Sequence, residues 1–565
     1  MRILGVATDM HCASAALVTN GEVTAAVAEE RLSRVKHDRS FPARAIGWCL
    51  EAAGITMDDI DRVAVSANPA IDLGVPDGRY SGRARWHPER LYQVPHGLAG
   101  LSGARFAGTA RQALETAAGR PLEVDYVHHH DAHMANAFFL SPFKDAAVIT
   151  IDGRGEDCTA QWGTGSGASL HVAGSVPYPH SLGLLYGAVT SYLGFRMDRD
   201  EWKVMGLAAY GDPDGPAYQR MRDLIEVRGD GQFRLDLNYF SYYLQPAPAA
   251  VSEAFTGAFG PPRAPGAPLG DRHRDIAAAV QHVLEDTAAA LLAGLARQTR
   301  HRRLAAGGGT LMNSVLNGKI AALSPFTESF ISSCPDDSGT SAGAALHVYS
   351  ALTGQRGPAQ QHNFWGPAWD QEDIDALLAA WRLPAGTSAD PAGDAARALA
   401  EGKVTGWFQG AAEFGQRALG HRSILADPRD PAAQDQVNNA VKYREPWRPF
   451  APSVLADDFP LLFGETAPPA PFMERTLPVL PAARHLIPAC VHADGTARPQ
   501  AVTPDDPLFY RLLTRFRDLT GVGAVLNTSF NLAEEPVVCS PADAVRTFFT
   551  SGLDLLFLGN RVLAK

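Results

Sequence analysis

Within six residues, His128-His129-His130-Asp131-Ala132-His133 gathers four imidazoles and a carboxylate. An apolar run at 122–127 precedes it, and Met134-Ala135-Asn136-Ala137-Phe138-Phe139 follows. If residues 132–140 continue as a helix, His129 and His133 lie one turn apart on one face, the spacing that lets two imidazoles hold one metal ion. A polar helix start with solvent-facing histidines accounts for an isolated pair equally well. Two distant carboxylates bear on the choice. Asp152 ends the apolar stretch 146–151, and Asp337 follows another at 330–333. Each alone fits a turn-capping carboxylate. Added to the two imidazoles, their hard oxygens make a four-ligand set suited to Fe²⁺, Zn²⁺ or Mn²⁺. The zinc-protease pattern His-Glu-x-x-His is absent.

A second chemistry lies later in the chain. Arg417, Arg422, Arg429, Lys442, Arg444 and Arg448 crowd one segment, interleaved with Gly415, Gly420, Trp447 and Phe450 rather than with acids. Guanidinium forks match phosphate oxygens and lysine adds a point charge, so the segment predicts an anion pocket rather than a solvated charged face. His492, Asp494 and Arg498 add polar groups, and Asn527-Thr528-Ser529-Phe530-Asn531 supplies amides and hydroxyls beside a strand end. Gly307-Gly308-Gly309 after a strand lets backbone approach a flat or phosphorylated ligand, with Asn313 and the next helix start completing a cradle; a tight turn is the plainer alternative.

These groups need elements to carry them. Residues 2–8, 13–19 and 22–28 read as strands, the last two joined by Asn20-Gly21, a strong hairpin signal, with a helix at 43–53. The same order of strand, Asp, tight turn and strand returns at 146–151, 159–163 and 169–173, which predicts a duplicated unit with ligand held in a cleft between its halves. Residues 68–105 and 245–272 read as surface excursions and candidate acceptor-site walls. A long amphipathic helix is expected over 275–300, a strand at 303–306 and a helix at 341–352. Thr353-Gly354-Gln355-Arg356-Gly357-Pro358 breaks the pattern, which places the main boundary there: domains 1–357 and 358–565.

The chain of 565 residues exceeds one ordinary core, and 46% hydrophobic with 20% charged residues describes a globular protein. A net charge of −11 argues against a broad nucleic-acid or membrane-surface footprint while leaving room for a local basic cleft. Cys12, Cys49, Cys158, Cys334, Cys490 and Cys539 show no paired spacing, which fits reduced thiols in a cytoplasm. No leader pattern opens the chain and no apolar run approaches a bilayer-spanning length, so a cytoplasmic location is expected.

The motifs "EERLSRVKHDRSFP", "HHDAH", "WKVMGLAAYG", "GGGTLMNSVLNG", "DDSGTSAGAAL", "EFGQRALGHRSILADPR", "KYREPWRPFAPS", "HADGTARPQ" and "LNTSFN" occur in this order over nearly the whole chain. Together they resemble the NodU/CmcH O-carbamoyltransferase family, which includes nodulation-factor and antibiotic-biosynthesis carbamoyltransferases. The resemblance implies an α/β protein: a duplicated actin-like ATPase, threonylcarbamoyl-transferase-like N-terminal domain, and an α/β YrdC-like C-terminal domain. It implies a metal, usually iron, on His129, His133, Asp152 and Asp337, with His128 and His130 left out. It implies a nucleotide bordered by Gly307, Gly308, Gly309 and Asn313. Asp9, His11, Glu29 and Lys36 fall on the family's first-hairpin motif and would line the transfer site, where His11 or Asp9 would orient or deprotonate the acceptor hydroxyl. The family's usual His-Asp-Ala-Ser-Ala-Ala reads His11-Cys12-Ala13-Ser14-Ala15-Ala16 here, which removes a carboxylate at position 12.

By the same resemblance the C-terminal domain would convert carbamoyl phosphate and ATP to carbamoyladenylate, with Mg²⁺ accompanying ATP. Lys442-Tyr443-Arg444 and Ser529-Phe530-Asn531 match its Lys-x-Arg and Ser-x-Asn motifs. Arg417, Arg422, Lys442, Arg444, Arg448, His492 and Arg498 would neutralise phosphates, beside Ser529 and Asn531. The expected partners are ATP, carbamoyl phosphate and a hydroxylated small-molecule acceptor, with no nucleic acid and no membrane. Trp86, Trp202, Tyr239, Phe240, Tyr242 and Tyr243 would wall an apolar acceptor site or simply pack, whereas Asp9 and Glu29 would suit a cationic one. Two alternatives are a tRNA threonylcarbamoyl-type enzyme, disfavoured by the missing basic stripe, and a non-catalytic nucleotide-binding module, disfavoured by the Arg-rich segment.

Overall fold

A computed structural model describes residues 1–8, 12–68, 109–244, 249–445 and 447–565. Asp9, His11 and Trp86, named above, lie outside the described residues. The chain divides into two compact units, Met1–Ala26 with Arg39–Gln361, and Val27–Asp38 with His362–Lys565. The later crossing falls at 361/362, and the early excursion 27–38 is marked by no local pattern in the chain.

In the first unit, β1 (Arg2–Ala7), β2 (Ser14–Thr19) and β3 (Glu22–Ala28) form a meander. Asn20 and Gly21 take φ of 52° and 86°, the left-handed pair a two-residue hairpin needs. β4 (Arg62–Val65), β5 (Thr109–Glu115) and β6 (Pro121–Val127) complete a sheet of order β3-β2-β1-β4-β6-β5, in which β1, β4 and β6 run parallel. β7 (Asp145–Ile151), β8 (Cys158–Ser166) and β9 (Ser169–Pro177) repeat the meander. After a small hairpin of β10 (Ile225–Val227) and β11 (Phe233–Leu235), β12 (Arg303–Gly307) and β13 (Glu328–Ile331) join it in the order β13-β12-β7-β8-β9. Both sheets thus have three antiparallel strands with two parallel strands added beside the first, and the first sheet adds antiparallel β5 at its edge. Apart from that edge strand, the internal echo in the sequence is a duplication of connectivity.

Helix Thr340–Thr353 packs on both β1 and the histidine-bearing helix His129–Phe139. The two helices approach to backbone contact, because a Cβ on Gly343 would overlap the Ala132 carbonyl. This close crossing draws Asp337, at the turn before the later helix, onto the histidine face. Helix Asp271–Thr299 is longer than the expected 275–300 at its start, and 16 of its 29 residues are buried. It corrects one expectation: among the described residues it is long and apolar enough to cross a bilayer, yet its apolar stretch is 72% buried inside the protein. It packs against helices Leu182–Tyr192, Glu201–Ala208 and Pro216–Arg222, so its apolarity is that of a core helix.

The second unit is built on a mixed sheet of β14 (Gly386–Thr387), β15 (Thr405–Phe408), β16 (Arg422–Ala426), β17 (Ala451–Leu455), β20 (Gln500–Val502), β21 (Ala524–Ser529), β22 (Leu555–Leu558) and β23 (Arg561–Ala564). A separate two-stranded ribbon joins β18 (Leu477–Pro478) to β19 (Thr496–Ala497). Strand alternation sends Phe408, Ile424, Val454 and Leu526 into one core, and Trp407, Leu425, Leu455 and Val525 into another with Phe509 and Phe516. Both faces are therefore covered, and ligand-facing groups must come from strand ends and loops. The excursion 27–38 is tied into this unit: Arg31 donates to the Gly415 carbonyl at 2.8 Å, Arg34 to Val537 and Pro536 at 2.7 and 2.9 Å, and Lys36 to Glu535 at 3.2 Å.

Candidate metal centre and anion pocket

Helix His129–Phe139 starts three residues earlier than the spacing required, and His129 and His133, both fully buried, face one point. Asp152, just past β7, and Asp337 converge on it. The Asp152 Oδ2 lies 2.9 Å from His129 Nε2 and 3.1 Å from His133 Nε2; Asp337 Oδ1 lies 3.4 Å from each; the two Nε2 atoms are 3.0 Å apart. Four ligand atoms bound at roughly 2.1 Å around one ion sit about 3.0–3.4 Å from one another. The cluster therefore fits a transition-metal ion without rearrangement.

The surroundings fix these groups. His129 Nδ1 is 3.3 Å from the Ser66 carbonyl, which accepts its proton and turns the Nε2 lone pair inward. Asp152 Oδ1 accepts from the backbone N–H of Gly153 at 2.8 Å and of Gly309 at 3.0 Å. Glu156, buried and unannounced by the sequence, accepts from the His129 N–H at 3.0 Å and the Asn68 N–H at 2.6 Å, capping the helix in place of a local side chain. Asn136 ties the helix to Ser332 and Cys334, ahead of Asp337, at 3.0 and 2.7 Å. With protons in place of an ion, burial would lower both imidazoles, but hydrogen bonds to Asp152 and Asp337 hold His129 up at about 10 and also raise His133. Both carboxyls are held below the usual range by the imidazoles, against burial. This is a point that demands positive charge.

His130 has other partners, Thr150 Oγ1 at 2.7 Å and the Cys158 carbonyl at 3.2 Å, and it takes no place in the cluster. The glycine run Gly307-Gly308-Gly309, read as a nucleotide border, packs against the metal cluster: a Cβ on Gly307 would lie 3.2 Å from the His133 carbonyl. Asn313 caps helix Ser314–Leu323 and exchanges hydrogen bonds with Gln281.

In the second unit Lys442 Nζ, buried at the end of a π-turn, reaches Asn531 Oδ1 at 2.8 Å and Ser529 Oγ at 3.2 Å, which joins the two expected motifs. Burial, then the charges of Arg444, Arg448 and Lys36, push the Lys442 ammonium well below its ordinary value. Arg498 is lowered by burial and by Arg417 and Arg444. Burial also drops His492 to about 4, with Asp494 opposing and Arg498 reinforcing. Buried Arg444 Nη2, Arg498 Nη1, His492 Nε2 and Trp447 Nε1 have no hydrogen-bond partner among the described residues. Crowded cations with orphaned donors call for an anion.

Lys36, expected to line the transfer site, belongs to the second unit, where its charge bears on Lys442 and that of Arg448 on it. One placement differs from expectation. Arg422, expected on phosphate, is fully buried in β16, where its guanidinium donates to the carbonyls of Gln409, His421, Pro367 and Gly410 and stacks 3.7 Å from the Phe408 ring centroid. It is a structural cation, because residue type declares charge and says nothing of direction. Glu29 is buried at the start of its short helix, in the same second-unit segment.

The chain thus joins a duplicated α/β unit carrying a candidate metal cradle to an α/β unit carrying a cluster of buried cations. The chain belongs to the carbamoyltransferase family: its residues 2–346 match the family's "Carbamoyltransferase N-terminus" and 396–565 its "Carbamoyltransferase C-terminus". Nodulation protein NolNO of Sinorhizobium fredii is 37% identical over 566 residues, covering 99% of this chain and 79% of the relative. The uncharacterized protein sll1178 of Synechocystis is 37% identical over 609 residues, 100% of this chain and 96% of its own. The 3'-hydroxymethylcephem-O-carbamoyltransferase of Streptomyces clavuligerus is 34% identical over 242 residues, 42% of this chain and 44% of its own.

Proposed function

We propose that this carbamoyltransferase is an ATP-dependent O-carbamoyltransferase that uses carbamoyl phosphate and ATP to make carbamoyladenylate, and transfers the carbamoyl group to a hydroxyl of a small-molecule natural product. The observation that carries this reading is the cation cluster of the second unit, with its orphaned donors on Arg444, Arg498 and His492. In balanced form, water releases phosphate from carbamoyl phosphate, and the resulting carbamate oxygen attacks the α-phosphorus of ATP, expelling pyrophosphate. Charge accumulates on the phosphoryl oxygens throughout, and Lys36, Arg417, Lys442, Arg444, Arg448 and Arg498 hold positive charge where it develops. Ser529 and Asn531 orient the Lys442 ammonium through the contacts at 3.2 and 2.8 Å. Mg²⁺ accompanies ATP.

In the first unit, His129, His133, Asp152 and Asp337 would hold a divalent transition metal, iron by family resemblance. When bound, such an ion supplies Lewis-acid polarisation of a carbonyl oxygen. The chain's own groups do the rest: Ser66 sets the tautomer of His129, and Gly153 and Gly309 fix Asp152. Asp9 and His11 are assigned the proton of the acceptor hydroxyl by the family motif. Loss of that proton as the hydroxyl attacks the carbamoyl carbon, with AMP leaving, completes the transfer. Gly307, Gly308, Gly309 and Asn313 retain the nucleotide-border assignment, with the glycine run also serving the metal centre.

The test is His133→Ala assayed with ATP, carbamoyl phosphate and a panel of hydroxylated natural products. Carbamoyl addition, read by mass, is abolished while pyrophosphate release persists. Loss of both would show that the two centres are inseparable, and a wild-type protein that releases no pyrophosphate would overturn the reading.

A further inference from the structure

We propose that His128, Asp157 and Cys158, with Glu156 beside them, form a second transition-metal site whose ligands are distinct from those of the first cradle. His128 Nε2 lies 2.9 Å from Asp157 Oδ1 and 3.3 Å from Glu156 Oε2. The ligand atoms of His128, Asp157 and Cys158 all fall within 4.8 Å of one another. The two carboxylate distances from His128 Nε2 are those of atoms that share one ion at bond lengths of roughly 2.0–2.3 Å, and the Cys158 thiol stands within reach of the same point.

The local fold builds the site from two short pieces. His128 is the residue that precedes helix His129–Phe139, so its side chain leaves the helix start instead of joining the inward face. Glu156-Asp157-Cys158 enters β8, one turn beyond Asp152. His128, Glu156 and Cys158 are buried, whereas the Asp157 side chain is 55% exposed and gives an ion a way in. One thiol, one imidazole and carboxylate oxygen make a softer set than the two imidazoles and two carboxylates of the first cradle, and select zinc- or cobalt-like ions over magnesium or calcium. Binding requires the Cys158 thiol proton and the proton on His128 Nε2 to leave for solvent, where water or buffer accepts them. The site does not depend on the carbamoyl reading.

The experiment uses the full-length protein stripped of metal and titrated with Co²⁺, read by near-ultraviolet thiolate-to-cobalt charge transfer and by metal content after desalting. Wild type develops the thiolate band and holds one more equivalent of cobalt than Cys158→Ser, which lacks the band. His133→Ala keeps the band while losing the other equivalent. Absence of the band in wild type, or its persistence in Cys158→Ser, overturns the proposal. If Cys158→Ser does not fold by circular dichroism, Asp157→Asn at its half-exposed position decides: titration of the band at least about tenfold weaker supports the site, and an unchanged titration overturns it.

Discussion

Gly309→Ala tests the metal centre through a single methyl group. The added Cβ would stand 2.7 Å from Asp152 Oδ1, the oxygen that accepts the Gly309 N–H at 3.0 Å. Ordinary carbon–oxygen contacts are near 3.4 Å, so the carboxylate must retreat by roughly half an ångström or more. The same rigid group carries Oδ2, placed 2.9 and 3.1 Å from the two imidazoles. Metal sites hold their bond lengths to within about 0.2 Å, so the shift leaves one ligand misplaced. Disturbing a ligand's support costs about 10–100-fold in affinity, or about 1.4–2.7 kcal/mol. Competition against a chromogenic chelator measures it on the full-length protein. Gly47→Ala, on the exposed side of helix Ala43–Ala52 where an added Cβ meets nothing within 4 Å, is the control and should bind as wild type does. Affinity in Gly309→Ala within about twofold of the control would refute the steric reasoning, because no smaller displacement relieves that overlap.

Lys442→Met should reduce pyrophosphate release by about 10²–10³-fold with metal content of the first unit unchanged, since it removes a preorganised donor at a site of developing charge. Arg422→Leu should lower stability by at least about 3 kcal/mol, measured by denaturant titration, because four buried carbonyls lose their donor together; an undiminished midpoint would return Arg422 to the ligand set. Burial raises Glu201 from 4.5 to about 7, against hydrogen bonds from backbone N–H groups. The folded state therefore holds the proton more tightly, so this group's stabilising contribution is complete below the unfolded value and is lost as pH rises from about 4.5 through about 7. Glu201→Gln should gain on the order of 2 kcal/mol over wild type at pH 8 and little at pH 4, by thermal unfolding at the two pH values; an equal gain at both would exclude titration as its origin.

The candidate metal cluster was the most legible grouping in the sequence. Two histidines one helical turn apart can be recognised from local geometry and the two Asp by their places after apolar strands, and the family resemblance joined the four. The duplication was legible only as repeated strand grammar, since β1 and β7 share connectivity rather than residues. Glu156 was invisible because a capping carboxylate offered from another segment leaves no local pattern at the helix it caps. Arg422 illustrates the opposite failure. It sits in an Arg-rich stretch, yet strand alternation points it into carbonyls, and composition cannot separate a cation that meets substrate from one that ties loops together. Lys36 was placed by its neighbours in sequence, while the fold assigns it by contacts with residues some five hundred positions away.

Because Val27–Asp38 is anchored in the second unit, that unit is not a detachable tail. A fragment beginning at His362 would leave the carbonyls of Gly415, Pro536 and Val537 without the guanidinium donors they accept from, and would separate Lys36 from the ammonium of Lys442. Recombination between relatives faces the same constraint. A crossover at residue 361 joins one parent's excursion to the other parent's partners, so hybrids should inherit residues 27–38 and 362–565 from the same parent even though more than three hundred residues of chain lie between them.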